Sequence, residues 1–271
     1  MARIPANGVQ FNVEIGGQGP PLVLLHGFTG SAASWRAHLG AFRDKFETLA
    51  VELLGHGASD SPADPARFRM ERCVEDLAAV FDHLGLQRVN LLGYSMGGRV
   101  ALHLTAALSE RIGALVLESA SPGLAGQAER QARVASDEAL ANLIEQQGLE
   151  AFVEHWSQLP IFASQAVLPE VVRDDLRAQR LSNNPRGLAN CLRGLGAGVP
   201  PSLWDRLNEV RTPALLIAGG LDPKYVTIAQ AMADALPAGR LGILPGAGHA
   251  AHLEQPEAFD RLVLEFLMEY N

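Results

Sequence analysis

Val89-Asn90-Leu91-Leu92-Gly93-Tyr94-Ser95-Met96-Gly97-Gly98-Arg99 is the stretch on which the fold turns. Residues 89–92 read as a short strand, and the residues from Arg99 onward read as an amphipathic helix over 99–108. Between them stands Gly93-Tyr94-Ser95-Met96-Gly97, a Gly-x-Ser-x-Gly turn in strand–turn–helix context. Such a turn is too tight for side chains at the glycine positions, and it holds the serine in strained backbone. The helix that follows aims its first N–H groups at charge forming near Ser95. A glycine-rich turn with an incidental serine would not need a strand before it and a helix after it.

Outward from this turn, strands alternate with helices. Residues 9–15 alternate apolar and polar side chains like an edge strand. Residues 22–25 form an all-apolar run suited to a strand buried on both faces, and residues 48–51, 114–117, 215–218 and 241–244 repeat the theme. Amphipathic helical patterns cover 70–84 and 99–108, and 256–270 reads as a closing helix with Pro256 in its first turn. This rhythm implies a mostly parallel central sheet with helices on both faces, the α/β-hydrolase fold. From 124 to 205 the rhythm breaks into helical patterns alone, at 135–147, 149–156 and 169–181. The expected organisation is a core of residues 1–123 and 206–271 with an inserted helical cap over 124–205.

Bulk properties narrow the function. The chain has 271 residues, long enough for one large core with an inserted subdomain. Its 22 basic and 30 acidic side chains give a formal charge of −8, which offers nucleic acid no electrostatic footprint. A small anionic substrate remains compatible with it, because a site can be locally positive. Cys73 and Cys191 make no disulfide framework and read as buried thiols. No run approaches the roughly 20 apolar residues of a membrane span, so a cytoplasmic protein with no membrane partner is expected. No metal-ligand spacing or dinucleotide fingerprint occurs, and no metal or organic cofactor is expected. The oligomeric state is not legible.

A serine hydroxyl needs a base. In this fold the order along the chain is serine, acid, histidine. Asp222 ends Ala218-Gly219-Gly220-Leu221-Asp222, and His249 ends Gly246-Ala247-Gly248-His249, each just past a strand. Ligands gather at the carboxyl ends of parallel strands, so Ser95, Asp222 and His249 are expected to meet there. Glu118 also ends a strand and is the rival acid. His252 is read as a packing or hydrogen-bonding residue. His26-Gly27-Phe28 occupies the place of the loop that lends an oxyanion-hole N–H, so the backbone N–H groups of Phe28 and Met96 are the expected donors. His26 and the Gly55-His56-Gly57-x-Ser59-Asp60 turn read as structural.

Several stretches carry a sharper resemblance. They are Leu25-His26-Gly27-Phe28-Thr29-Gly30-Ser31 with Trp35, Gly93-Tyr94-Ser95-Met96-Gly97-Gly98-Arg99, Glu118-Ser119-Ala120-Ser121-Pro122-Gly123-Leu124, Leu159-Pro160-Ile161-Phe162-Ala163-Ser164-Gln165, Asp222-Pro223-Lys224-Tyr225, and Gly248-His249-Ala250-Ala251-His252-Leu253-Glu254-Gln255-Pro256-Glu257. Together they resemble the 2-succinyl-6-hydroxy-2,4-cyclohexadiene-1-carboxylate (SHCHC) synthases of menaquinone biosynthesis, over residues 22–266. The resemblance implies a lyase that expels pyruvate from a polycarboxylated cyclohexene, with Ser95 as base. It implies substrate contacts from Tyr94, Arg99, Arg133, Trp156 and Arg180, with Arg130 able to take the part of Arg133. Tyr225 stands where the family more often has Phe. A carboxylic-ester hydrolase with the same triad is the alternative. A non-catalytic binding module would have no need of the triad.

Overall fold

Eight strands form one sheet in the computed structural model, which describes residues 1–270. They are β1 (Ala2–Ala6), β2 (Val9–Gly16), β3 (Pro21–Leu25), β4 (Glu47–Glu52), β5 (Val89–Tyr94), β6 (Ile112–Glu118), β7 (Ala214–Gly219) and β8 (Gly239–Leu244). Their order is β1-β2-β4-β3-β5-β6-β7-β8. β1 and β2 pair antiparallel, as do β2 and β4, and every other pair is parallel. The helices are α1 (Arg36–Arg43), α2 (Met70–His83), α3 (Met96–Ala107), α4 (Gln127–Ser157), α5 (Glu170–Leu181), α6 (Pro185–Leu195), α7 (Pro223–Ala235), α8 (Ala251–Glu254) and α9 (Pro256–Met268).

The apolar strands are buried on both faces. Val23, Leu25, Leu91, Leu115, Leu117 and Leu216 pack with Leu77, Val100, Leu104 and Met232 of α2, α3 and α7. Their chain neighbours Leu22, Leu24, Leu92, Val116 and Ile217 pack on the other face with Leu39, Phe42, Phe259 and Val263 of α1 and α9. Alternation along a strand thus feeds two cores at once. Each fully buried leucine among them contributes roughly 1.5–3 kcal/mol.

The 9–15 stretch proves to be β2, one strand in from the edge. The edge belongs to β1, whose turn into β2 is Asn7-Gly8 with φ of 46° and 84°. Positive φ at both central residues is what a tight hairpin turn demands, and Asn-Gly supplies it. That dipeptide was the local signal for β1.

Between β6 and β7 the regular elements are all helical. α4 runs through 31 residues with a break at Gly148, where φ is 87° and ψ is 170°. α6 is absent from the expected helices, although Asn184 caps it by accepting from the Gly187 N–H and Pro185 opens its first turn. These helices have a core of their own, formed by Ala141, Ile144, Phe152, Val153, Leu188, Ala189 and Leu192. Phe28, from the loop after β3, packs against it. No described helix is long and apolar enough to cross a membrane.

Candidate active site

Three loops at the carboxyl ends of β5, β7 and β8 bring Ser95, Asp222 and His249 into a hydrogen-bonded row. Ser95 has φ 50° and ψ −107°, backbone that costs on the order of 1–3 kcal/mol and needs its surroundings to enforce it. The enforcement is steric. A Cβ on Gly93 would lie 2.5 Å from the Gly97 carbonyl oxygen, and one on Gly97 would collide with the Leu25 and His26 carbonyls. Ser95 N–H donates to the Glu118 carbonyl at 2.8 Å, which ties the turn to β6.

Ser95 Oγ lies 3.0 Å from His249 Nε2, and His249 Nδ1 lies 2.9 Å from Asp222 Oδ2. A carboxylate only accepts, so Nδ1 carries the proton and Nε2 is left to accept from the serine hydroxyl. Asp222 does a second job. It is the N-cap of α7, its Oδ1 accepting from the Tyr225 N–H at 3.2 Å. Tyr225 returns the contact by setting its ring edge-on to His249, 4.6 Å between centroids. Glu118, the rival acid, is directed elsewhere: its Oε1 accepts from both the backbone N–H and Nδ1 of His252 at 2.9 Å.

Met96 is the first residue of α3, so its N–H has no acceptor within the helix. It lines a cavity of about 300 Å³ together with Phe28, Ser95 and His249. His26 sets the loop that carries Phe28. Leu53 N–H donates to His26 Nε2 at 3.1 Å, so the ring's own proton sits on Nδ1 and goes to the Gly27 carbonyl at 2.8 Å. Burial lowers the pKa of His26 and keeps this arrangement neutral.

The α/β-hydrolase fold family matches residues 20–256. A Bacillus subtilis protein named for SHCHC synthase is 45% identical over 266 residues, covering 97% of this chain and 96% of its own length. The MenH structure from S. aureus superposes with a TM-score of 0.91 at 35% identity, covering 96% and 98% of the two chains. A thermophilic esterase from Thermogutta terrifontis superposes at 0.88 with 26% identity, covering 99% and 98%. The chain belongs to the SHCHC synthase family.

The arginines of this SHCHC synthase relative occupy three different settings. Arg99 is 7% exposed and lines the cavity from α3. Its Nη2 donates to the Leu195 carbonyl at 2.8 Å, while its buried Nε has no protein partner. Burial lowers its pKa, but a guanidinium stays charged. Arg133 lines the same cavity and holds Asp137 Oδ1 through Nε at 2.8 Å. Arg180 lies behind that wall, bonded to Ser157 Oγ and Gln165 Oε1, with its guanidinium 5.3 Å from the centre of the Phe162 ring. It faces an adjoining void of about 40 Å³ rather than the main cavity. Arg130 donates to the carbonyls of Gly198 and Val199.

Tyr94 and Trp156 both line the main cavity. The Trp156 ring meets Phe28 edge-on at 5.3 Å, and its buried Nε1 has no protein partner. The residue set read from sequence lacks Asp137, Phe162 and Leu195 among the cavity walls. Asp137 was legible as the partner of an i,i+4 pair with Arg133. Burial raises its pKa, with Arg133 opposing. Phe162 meets His249 edge-on at 6.1 Å. Leu195 offered no signal, since its carbonyl matters only because Arg99 reaches it. Cys191 also lines the cavity as a buried thiol whose pKa is pushed up by desolvation. Among the described residues no group of three or more His, Cys, Asp or Glu side chains is placed to hold a metal ion.

Proposed function

We propose that this enzyme eliminates pyruvate from 2-succinyl-5-enolpyruvyl-6-hydroxy-3-cyclohexene-1-carboxylate to give 2-succinyl-6-hydroxy-2,4-cyclohexadiene-1-carboxylate, a step of menaquinone biosynthesis. The observation that carries the reading is the pairing of two features in one cavity. Ser95, His249 and Asp222 form an activated row, and Arg99 and Arg133 stand in the same walls. Two guanidiniums against the single carboxylate of Asp137 leave these walls net positive on a chain of charge −8. Arg99 Nε and Trp156 Nε1 are donors with no protein acceptor. That inventory suits a substrate rich in carboxylates and carbonyls.

In this reading Ser95 Oγ, its proton taken up by His249 Nε2, removes the ring proton at C2, next to the succinyl ketone. The electron pair forms the C2–C3 double bond, the former C3–C4 double bond moves to C4–C5, and the C5–O bond to the enolpyruvyl group breaks. The N–H groups of Phe28 and Met96 hold the charge that gathers on the ketone oxygen. The departing enolate of pyruvate takes up a proton at carbon. Asp222 stabilises the imidazolium without itself taking the proton. The bonds balance with no acyl-enzyme and no cofactor.

Ester hydrolysis is the second reading, favoured by the same Ser95–His249 hydrogen bond, which equally suits a nucleophile. One experiment separates the two. The enolpyruvyl substrate is supplied, pyruvate is followed by a coupled assay, and Ser95 is examined by mass spectrometry during turnover. Pyruvate release with unmodified Ser95, and feeble turnover of simple esters, is the expected result. A stoichiometric acyl group on Ser95 with fast ester hydrolysis and no pyruvate would reject the elimination.

A further inference from the structure

Glu254 spans two parts of the molecule that the reaction needs together. Its Oε2 accepts from the backbone N–H of Gly248 at 2.7 Å, one residue before His249. Its Oε1 accepts from Ser164 Oγ at 3.0 Å. Ser164 belongs to the 3₁₀ segment Pro160–Val167 of the helical excursion. Phe162, two residues earlier in that segment, presents its edge to the His249 ring. The packing is close enough to exclude any side chain at Gly248, where a Cβ would overlap Ser164 Oγ and lie 2.8 Å from Ser164 Cβ. On its other side the Gly248 carbonyl abuts Gly219 at the end of β7, so closely that a Cβ there would collide with it. The His249 loop is therefore clamped between β7 and the 160–167 segment, and the Glu254 carboxylate ties the loop to that segment.

We propose that Glu254 is a positioning residue that couples the seating of the 160–167 segment to the orientation of His249. Seated, the segment supplies the Ser164 hydroxyl that fixes one carboxylate oxygen, and so fixes the other oxygen on the Gly248 N–H. With Ser164 displaced, the carboxylate is free to rotate toward water, the Gly248 N–H loses its acceptor, and the base drifts from Ser95. Closure of the cavity over substrate and alignment of the base are then one event. The proposal rests on reading His249 as the base of Ser95.

The test uses Ser164→Ala, Glu254→Ala and Glu254→Gln in the full chain, with His249→Ala as reference. Two readouts are taken. One is the rate at which a fluorophosphonate labels Ser95, which needs the His249 base but not the natural substrate. The other is kcat and KM for pyruvate release. A small displacement of a reacting group costs about 10²-fold, so Glu254→Ala should slow labelling and kcat by that order with KM little changed. Ser164→Ala removes one hydrogen bond and should slow both about fivefold. Glu254→Gln should stay near wild type, because its carbonyl accepts from Gly248 and its amide donates to Ser164 Oγ. If Ser164→Ala and Glu254→Ala raise KM while labelling and kcat stay at the wild-type level, Glu254 merely docks the segment and the proposal is overturned. It is overturned equally if Gln is no better than Ala. Should Glu254→Ala fail to fold, Ser164→Ala decides alone. Labelling that ignores His249→Ala would overturn the reading of the base itself, and the coupling with it. Labelling that needs His249 but ignores Glu254 overturns the coupling alone.

Discussion

Two histidine–carboxylate pairs have their imidazoles three residues apart, His249 in the loop after β8 and His252 in α8, and they differ in what lies beyond the ring. His249 and Asp222 meet at 2.9 Å, as do His252 and Glu118. Both imidazoles are buried, at 3% and 1% exposure. Tyr94 packs on both, with ring centres 5.5 Å and 4.7 Å away. Yet His249 extends its second nitrogen to Ser95 at the wall of a 300 Å³ cavity, within the size range of ligand sites. His252 is packed against Trp35, His38 and Phe259 and borders the 40 Å³ void, not the main cavity. On the proposed function the same pair of groups serves Ser95 in one place, and in the other it fastens β6 to α8. Environment, not residue type, assigns the role.

The largest expected effect separates the pairs outright. Ser95→Ala and His249→Ala should each lower turnover by about 10³-fold or more, and the double variant should be little worse, because the residues act as a unit. Circular dichroism should show the fold retained. His252→Gln should keep most of its activity per folded molecule. Steady-state rates on all four proteins check this, and a His252→Gln loss as deep as that of His249→Ala would erase the distinction. Asp222→Asn should likewise exceed Glu118→Gln in its cost to turnover.

Charge in the cavity gives the next effect. Arg99→Ala should weaken turnover of the carboxylated substrate by roughly 2–5 kcal/mol, the range for stripping one partner from a buried charged pair, and Arg133→Ala, whose side chain is 42% exposed and screened by water, should weaken it by less. A neutral test ester should be affected much less. Equal losses on both substrates would mean that the two arginines serve the fold. Arg180→Ala should act mainly through Phe162 and Gln165, which it holds, so its losses should be more alike on the two substrates.

Stability should show the reverse ranking of the pairs. Glu118→Ala leaves the buried backbone N–H and ring Nδ1 of His252 without their acceptor and should cost roughly 1–3 kcal/mol for each in chemical denaturation. Asp222 is less enclosed, with 11% of its side chain exposed against none for Glu118. Asp222→Ala should therefore cost less stability and far more activity. Comparable denaturation midpoints for the two variants would contradict this ordering.

The smallest effect is graded with pH and belongs to histidines outside both pairs. Burial lowers the pKa of His26, takes His56 to about 3 and takes His103 to about 4, from an ordinary 6.5. Because the folded values lie below the unfolded one, the unfolded chain binds protons first as pH falls. Their contribution is full above about pH 6.5 and declines below it, by at most about 1.4 kcal/mol per pH unit for each histidine. Melting temperatures between pH 7 and 4.5 should fall steadily, and His103→Gln should flatten the slope. A flat profile for the wild type would show that these rings do not stay neutral in the fold.

Much of this protein is decided by local sequence. Apolar runs at 22–25 and 215–218 must bury both faces and so build a sheet covered by helices. Gly93 and Gly97 admit a turn that no other residues could make so tightly, which marks Ser95 before any distance is known. Asn7-Gly8 and the Asn184-Pro185 cap were equally local signals for β1 and α6. What sequence could not decide is where long-range groups arrive. Nothing in the residues themselves says that Glu118 turns to His252 rather than to His249, since both carboxylates follow strands. Nor does arginine content tell that Arg99 and Arg133 reach the cavity while Arg180 stands behind Phe162. Those outcomes depend on the packing of α4, α5 and the 160–167 segment over the strand ends. Contacts across 90 or more residues, such as Ser164 with Glu254 and Arg99 with the Leu195 carbonyl, exist only once the two cores and the helical core are formed together.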